Sequence, residues 1–472
     1  EYDTYASTVK PENVRLQLFL SAKEGMEMIS GDIGSAYLNA YTKEKIWTRL
    51  DAGFGPDLDG KLARIIKALY GLKTSANVWY FHLCDSLREM GFKQCKLDSA
   101  IWYRLREDES QYDYFSHHVD DFLLSGDTNI KKWIDTLELS YTITGKGEPK
   151  YHLGHDIDKI HKHCYKLGSR TYVKNALDKV KRILNVDTIQ GPIKKAQIPY
   201  KTEFHPELDK TELHDEKGTN DYQKLAGIAQ WITSLGRADL NFPVNQLARY
   251  NAAPRTGHTQ DMIQMFAFLN KWTDRYLITE GKTEPDFIKD LKVTEMPPPN
   301  HLKEYYKDSS FEDLKDRPIP KGKPVIITIF VDSSHANMKD NMQSVTGILI
   351  FVGDMLIKVK SKRQKHVESS TYSSEFSALR EAVEDGLATR LLLQSLGVPI
   401  QGPVRIYCDS KSILDSATNT DGILNRRHVV IAYHVTREAY AIGLVKLYHI
   451  AGEDNPADHL TKGLEKIKFF KH

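Results

Sequence analysis

The sequence predicts a multidomain protein that mixes α/β and α+β units, and three observations lead there. The chain has 472 residues, more than one hydrophobic core ordinarily serves. Pro297-Pro298-Pro299, Pro318, Pro320 and Pro324 stand among charged residues in a stretch, 276–324, with little to build a core; it reads as a linker. On both sides of it, short β-rich runs alternate with segments of helical period.

Composition narrows the function classes. Hydrophobic residues make up 40% and charged residues 27% of the chain, a globular rather than disordered balance. No apolar run approaches the ~18 residues that cross a bilayer, so no membrane role is expected. Glu1-Tyr2-Asp3-Thr4 has neither a basic nor an apolar leader character and no initiator Met, which suggests a piece of something longer that is not secreted. Cys84, Cys95, Cys164 and Cys408 form no C-x-x-C pair and fit a reducing compartment. Net charge is only +2; the basic clusters Lys179-Val180-Lys181-Arg182 and Lys358 to His366 read first as solvated faces.

In chain order, Met26-Glu27-Met28-Ile29 is a strand candidate that leads to Asp32. Ala76, Tyr80, Leu83, Leu87 and Met90 recur at steps of three and four before Gly91, an amphipathic helix with a glycine stop. Tyr112 to Ser125 reads as a hairpin whose turn carries His118-Val119-Asp120-Asp121. Residues 222–250 and 258–274 look helical. Beyond the linker, Val325 to Val331 runs as a strand into Asp332, and Val404 to Cys408 runs as another into Asp409. A helix from about Tyr372 to Leu396 lies between them, with Ser369, Ser370 or Thr371 as N-cap and Gly397 and Pro399 as its end. Glu375 falls in its first turn, and Asp458 opens a last helix.

Carboxylates on neighbouring strand ends are what divalent-metal phosphoryl chemistry needs, because hard ions take oxygen ligands and two ions divide the attacking and leaving oxygens between them. An Asp-Asp pair alone is better explained by a solvated turn. The surrounding text is more specific. Gly31-Asp32-Ile33-Gly34-Ser35-Ala36-Tyr37-Leu38-Asn39, Lys67-Ala68-Leu69-Tyr70-Gly71-Leu72-Lys73, Val78-Trp79-Tyr80 and Val119-Asp120-Asp121 resemble the reverse transcriptases of copia-type retrotransposon Pol polyproteins, in the family's order. The resemblance implies a right-hand polymerase in which Asp32, Asp120 and Asp121 hold metal. It also implies that Tyr37 lies under the incoming sugar and excludes a 2′-hydroxyl, with Tyr70 and Gly71 near nucleotide and template. His118 stands where the family has an aromatic residue near the primer end. A basic strand that covers the triphosphate in the family is not supplied by residues 1–10, so the fingers are expected to be partial.

The downstream phrases Phe330-Val331-Asp332, Ser373-Ser374-Glu375-Phe376, Tyr407-Cys408-Asp409-Ser410-Lys411-Ser412 and Ala457-Asp458 are similar to retroelement RNase H domains. That implies an RNase H-like α/β unit with Asp332, Glu375, Asp409 and Asp458 as catalytic metal ligands. His449 reads as a packed strand histidine, and Arg427 and His428 as a surface helix start or phosphate contacts. His152, His155, His161, His163 and Cys164 cluster, but at no zinc-module spacing.

The expected division is palm with partial fingers and the start of a thumb over 1–185, thumb and connection over 186–275, linker over 276–324 and RNase H over 325–472. Expected cofactors are Mg²⁺ or Mn²⁺, two ions per site. Expected partners are RNA and DNA template–primer, RNA–DNA hybrid and dNTPs, in a cytoplasmic virus-like particle or the nucleus. An RNase H without polymerase activity and an inactive nucleic-acid-binding remnant are the alternatives.

Overall fold

The computed structural model describes residues 3–191, 197–201, 204–298, 302–309, 316–365, 367, 370–419 and 430–471. Pro299, His366, Ser369, Arg427 and His428 lie outside the described residues.

The first part is built on one antiparallel sheet. Helix α1 (Pro11–Glu24) has Pro11 at its first turn and ends at Gly25, whose φ of 63° suits a glycine cap. Strand β1 (Glu27–Ile33) follows, then an exposed hairpin of β2 (Trp47–Arg49) and β3 (Leu62–Arg64). Helix α2 (Ser75–Glu89) fulfils the three-and-four spacing, with Gly91 at φ 82° beyond its end. Next come β4 (Lys93–Gln94), β5 (Ile101–Leu105), β6 (Tyr112–His118), β7 (Asp121–Gly126), α3 (Lys131–Glu138) and β8 (Ile143–Gly147). The sheet order is β4-β5-β6-β7-β1-β8. The hairpin predicted over 112–125 is therefore β6–β7, and its last strand lies against β1 in the centre of the sheet.

Alternation along these strands feeds two cores. Ile29, Ile33, Phe115, Phe122 and Leu124 face a cluster with Trp79 and Leu83 of α2. Met28, Tyr114 and Leu123 face the opposite way, against α1. Gly31 has no side chain because a Cβ there would come within 2.7 Å of the Phe122 ring.

A second sheet, in the order β12-β11-β10-β9, comprises β9 (Tyr151–His152), β10 (His155–His161), β11 (Cys164–Gly168) and a strand from far downstream, β12 (Tyr276–Thr279). Between β11 and β12 run α4 (Arg170–Leu184), α5 (Glu216–Ser234), α6 (Asn241–Ala248) and α7 (Thr256–Lys271), which share their own core. The helix expected over 222–250 is thus two helices. Gly236, at φ 96°, breaks it between α5 and α6.

The third sheet holds β13 (Thr294–Glu295), β14 (Ile327–Ser334), β15 (Val345–Val352), β16 (Met355–Arg363), β17 (Val404–Cys408) and β18 (Val445–His449), in the order β13-β18-β17-β14-β15-β16. Strands β14, β17 and β18 are parallel, and β14, β15 and β16 form an antiparallel meander. Chain order also includes the short α8 (Leu302–Tyr305), α9 (Thr371–Ser395), α10 (Lys411–Thr418), α11 (Val430–Ala441) and α12 (Lys466–Lys471). Ser370 caps α9 by accepting from the Ser373 N–H. Gly386 lets α9 lie close to the sheet, since a Cβ there would meet Ile329 at 2.8 Å and Val404 at 2.9 Å.

The stretch 276–324, expected as a linker, instead supplies a strand to each of two sheets: β12 pairs with β11, and β13 with β18. The first and third sheets share a hydrophobic cluster that runs from Leu16, Leu18 and Phe19 of α1 to Ile350 and Ile357. Arg15 crosses this junction fully buried. Its guanidinium donates to the Ile357 carbonyl at 3.1 and 2.6 Å and to the Ser234 carbonyl at 2.7 Å, and burial lowers its pKa to about 10.

Candidate active sites

The parallel register of β14 and β17 sets Val331 beside Cys408, so Asp332 and Asp409 come abreast where the strands end. Asp458 reaches the same place on a short 3₁₀ turn, Pro456–Leu460, after β18. Ligand oxygens of Asp332, Asp409 and Asp458 all lie within 4.8 Å of one another. Glu375 approaches from α9, one turn in from its cap, and is 9% exposed.

Crowding leaves an electrostatic signature. Burial, then Asp332 and Asp409, push the Glu375 carboxyl up to about 9. Burial, with Asp458 and Asp409 adding, raises Asp332, and burial followed by Asp458 raises Asp409. Three neighbours manage the repulsion. Thr461 Oγ1 donates to Asp332 Oδ2. Asn455 Nδ2 donates to the Val331 carbonyl at 2.9 Å and to Asp409 Oδ1 at 3.4 Å. Lys462 Nζ pairs with Asp458 Oδ1 at 2.8 Å. A concave set of hard oxygens with excess negative charge fits a divalent cation of the Mg²⁺ kind. His449 is half-buried at the end of β18, and its Nε2 bonds the Asp409 carbonyl at 3.2 Å; it is a strand histidine that also borders the site.

In the first sheet, Asp32 of β1 pairs across with Asp121 of β7, and Asp120 is in the turn before Asp121. All three are half-buried. Burial, then the charges of Asp120 and Asp32, raise the Asp121 pKa. Thr144 Oγ1 donates to Asp32 Oδ2 at 3.2 Å. These acids are neighbours, but among the described residues only Asp332, Asp409 and Asp458 meet the 4.8 Å spacing for a shared ion. The rings of Tyr37 and Tyr70 meet at a tilt of 48° with centroids 4.6 Å apart, and burial, then Tyr70 and Asp120, raise the Tyr37 pKa. Gly71 takes φ 97° beside them. His118 ends β6 opposite Asp121 and is half-buried. The histidine cluster lies elsewhere: His152 and His155 face each other across β9 and β10, both buried.

Residues 1–195 match the family model described as reverse transcriptase (RNA-dependent DNA polymerase). Across 99% of its length the chain is 24% identical to the retrovirus-related Pol polyprotein from transposon RE1 of Arabidopsis thaliana. It is 25% identical to that from transposon TNT 1-94 of Nicotiana tabacum, again over 99% of the chain. The chain is thus similar, over nearly all its length, to the Pol polyproteins of these transposons. A truncated transposon Ty1-A Gag-Pol polyprotein from Saccharomyces cerevisiae is 26% identical over the whole of this chain. The chain spans 28%, 32% and 36% of the lengths of these three relatives. Among solved structures, the N-terminal RNase H domain of a Mycobacterium tuberculosis protein aligns with 29% of this chain and 96% of its own, at 13% identity and a TM-score of 0.23. An RNase H1 isolated from compost aligns with 29% of this chain and 92% of its own, at 20% identity and the same TM-score.

Sequence reasoning missed the residues that support these acids. Asn455, Thr461 and Lys462 bracket Asp458 in one short phrase, so polar residues beside a candidate acid were a usable signal. Trp79 stood out only as part of Val78-Trp79-Tyr80, and nothing local told that its N–H bonds the carbonyl of Val119, 40 residues away.

Proposed function

We propose that the chain is an RNA-directed DNA polymerase joined to a ribonuclease H that hydrolyses the RNA strand of RNA–DNA hybrids. The carrying observation is the gathering of Asp332, Asp409 and Asp458 at the ends of parallel strands, downstream of a reverse transcriptase domain. In this reading Asp32, Asp120 and Asp121 serve the polymerase, and Asp332, Glu375, Asp409 and Asp458 serve the nuclease, each group with two Mg²⁺ or Mn²⁺ ions. The proposed division is palm with partial fingers and the start of a thumb over 1–185, thumb and connection over 186–275 and RNase H from 325 onward. The proposed setting is a cytoplasmic virus-like particle or the nucleus.

Bound divalent ions would supply Lewis acidity and an activated oxygen nucleophile. The chain's own part is to position and to exclude. Asn455 and Thr461 hold the carboxylates of Asp409 and Asp332 in place, and Lys462 offsets charge beside Asp458. Tyr37, backed by Tyr70, forms a wall against a ribose 2′-hydroxyl, and His118 offers a ring near the primer end.

The test is incubation of the chain with a labelled hybrid carrying a recessed primer and dNTPs, with and without Mg²⁺. Metal-dependent RNA shortening together with primer extension is expected. A second reading, nuclease alone, is favoured by one observation: the palm acids are less tightly gathered than the C-terminal ones. RNA shortening without extension would select it, and hybrid binding without turnover would overturn both.

A further inference from the structure

The turn that carries Asp120 and Asp121 is strained, and one buried indole holds it. Val119 and Asp120 form a two-residue loop between β6 and β7, and such loops need positive φ at their first residue. Val119 has φ 60°, a region that a β-branched side chain resists. Such a conformation persists only where the surroundings determine it.

Two bonds do so. The Ile33 N–H donates to the Asp120 carbonyl at 2.9 Å, which ties the turn to β1 beside Asp32. Trp79 Nε1 donates to the Val119 carbonyl at 2.8 Å. Trp79 is only 1% exposed, and indole N–H is a donor with no second role. Its ring meets Tyr141 edge-on, with centroids 5.6 Å apart. Tyr141 leads through Thr142, whose carbonyl accepts from the Gly34 N–H at 2.8 Å, into β8, where Thr144 bonds Asp32. One side chain therefore braces both the Asp120–Asp121 turn and the strand that supports Asp32.

We propose that Trp79 is a positioning residue for the polymerase acids, its N–H fixing the strained Val119 turn so that Asp120 and Asp121 stay in register with Asp32. The proposal rests on the polymerase reading above. Phenylalanine at 79 keeps a buried ring and deletes the donor. In the full chain, Trp79→Phe lowers kcat for primer extension by on the order of 10- to 100-fold while KM for dNTP stays within about twofold. Hybrid cleavage by the same molecule is unchanged, which reports an intact fold. Val119→Gly removes the strain, so the loss caused by Trp79→Phe shrinks in that background.

Loss of both activities together, or an equal loss with and without Val119→Gly, would reduce Trp79 to an ordinary core residue and overturn the proposal. Mn²⁺ binding, followed by electron paramagnetic resonance in an Asp332→Asn/Asp409→Asn background, reads the palm acids without turnover. Trp79→Phe weakens that binding severalfold, and equal affinity would also overturn the clamp. Wild-type chain that extends no primer counts against the polymerase reading alone, and the Mn²⁺ titration then decides the role of Trp79.

Discussion

At the scale of single residues, seven carboxylates divide into two sets that differ in burial. Asp332, Glu375 and Asp458 are nearly inaccessible with Asp409 half-buried beside them, whereas Asp32, Asp120 and Asp121 are all half-buried. If the sets serve separate reactions, Asp409→Asn abolishes hybrid cleavage, by on the order of 10³-fold, and leaves extension intact. Asp120→Asn does the reverse. Gel assays of both variants on one substrate check this, and joint loss in either variant would sink the two-site assignment. Tyr37→Ala should relax sugar selection by roughly 10- to 100-fold, measured as the ratio of kcat/KM for dNTP and rNTP. An unchanged ratio would remove Tyr37 from that role.

The sequence named these acids because each sits in a recognisable local phrase. It could not name the Trp79–Val119 or the Thr461–Asp332 bond, because the partners lie 40 and 129 residues apart. Long-range pairing leaves no mark on either short stretch.

At the scale of elements, legibility followed the same division. Helices α2 and α9 were readable because apolar spacing and terminal glycines agree, joined on α9 by a capping serine. The split between α5 and α6 was harder, since one glycine inside an otherwise helical pattern is a weak signal. The proline-rich stretch misled for another reason. Strands as short as Thr294–Glu295 are stabilised by a partner strand that arrives much later in the chain. Gly386 shows what element packing demands: Gly386→Leu forces α9 away from Ile329 and Val404. The expected cost is about 1–3 kcal/mol, with slower hybrid cleavage because Glu375 rides on the same helix. Denaturant melts would show the shift, and wild-type stability in this variant would contradict the close packing described.

At the scale of the whole molecule, the acid cluster makes stability depend on pH. Glu375 titrates near 9 when folded, against about 4.3 when unfolded. Between those values the folded state holds more protons than the unfolded one, so metal-free stability falls as pH rises through that window. A divalent ion takes the place of those protons, so its stabilising effect grows with pH. Thermal unfolding with chelator and with excess Mg²⁺ should therefore show a wider gap in Tm at about pH 8 than at about pH 6. A constant gap would mean that these carboxyls are not where the ion binds.

The continuous core between the first and third sheets, with Arg15 spanning it, has a consequence for geometry rather than for stability. If both proposed reactions occur, two centres held by one shared core form a ruler. On a hybrid engaged by both, the cut in the RNA would trail the growing DNA end by a set interval, counted in nucleotides. Loosening the Arg15 junction should then blur the lengths of the RNA fragments before it slows either reaction.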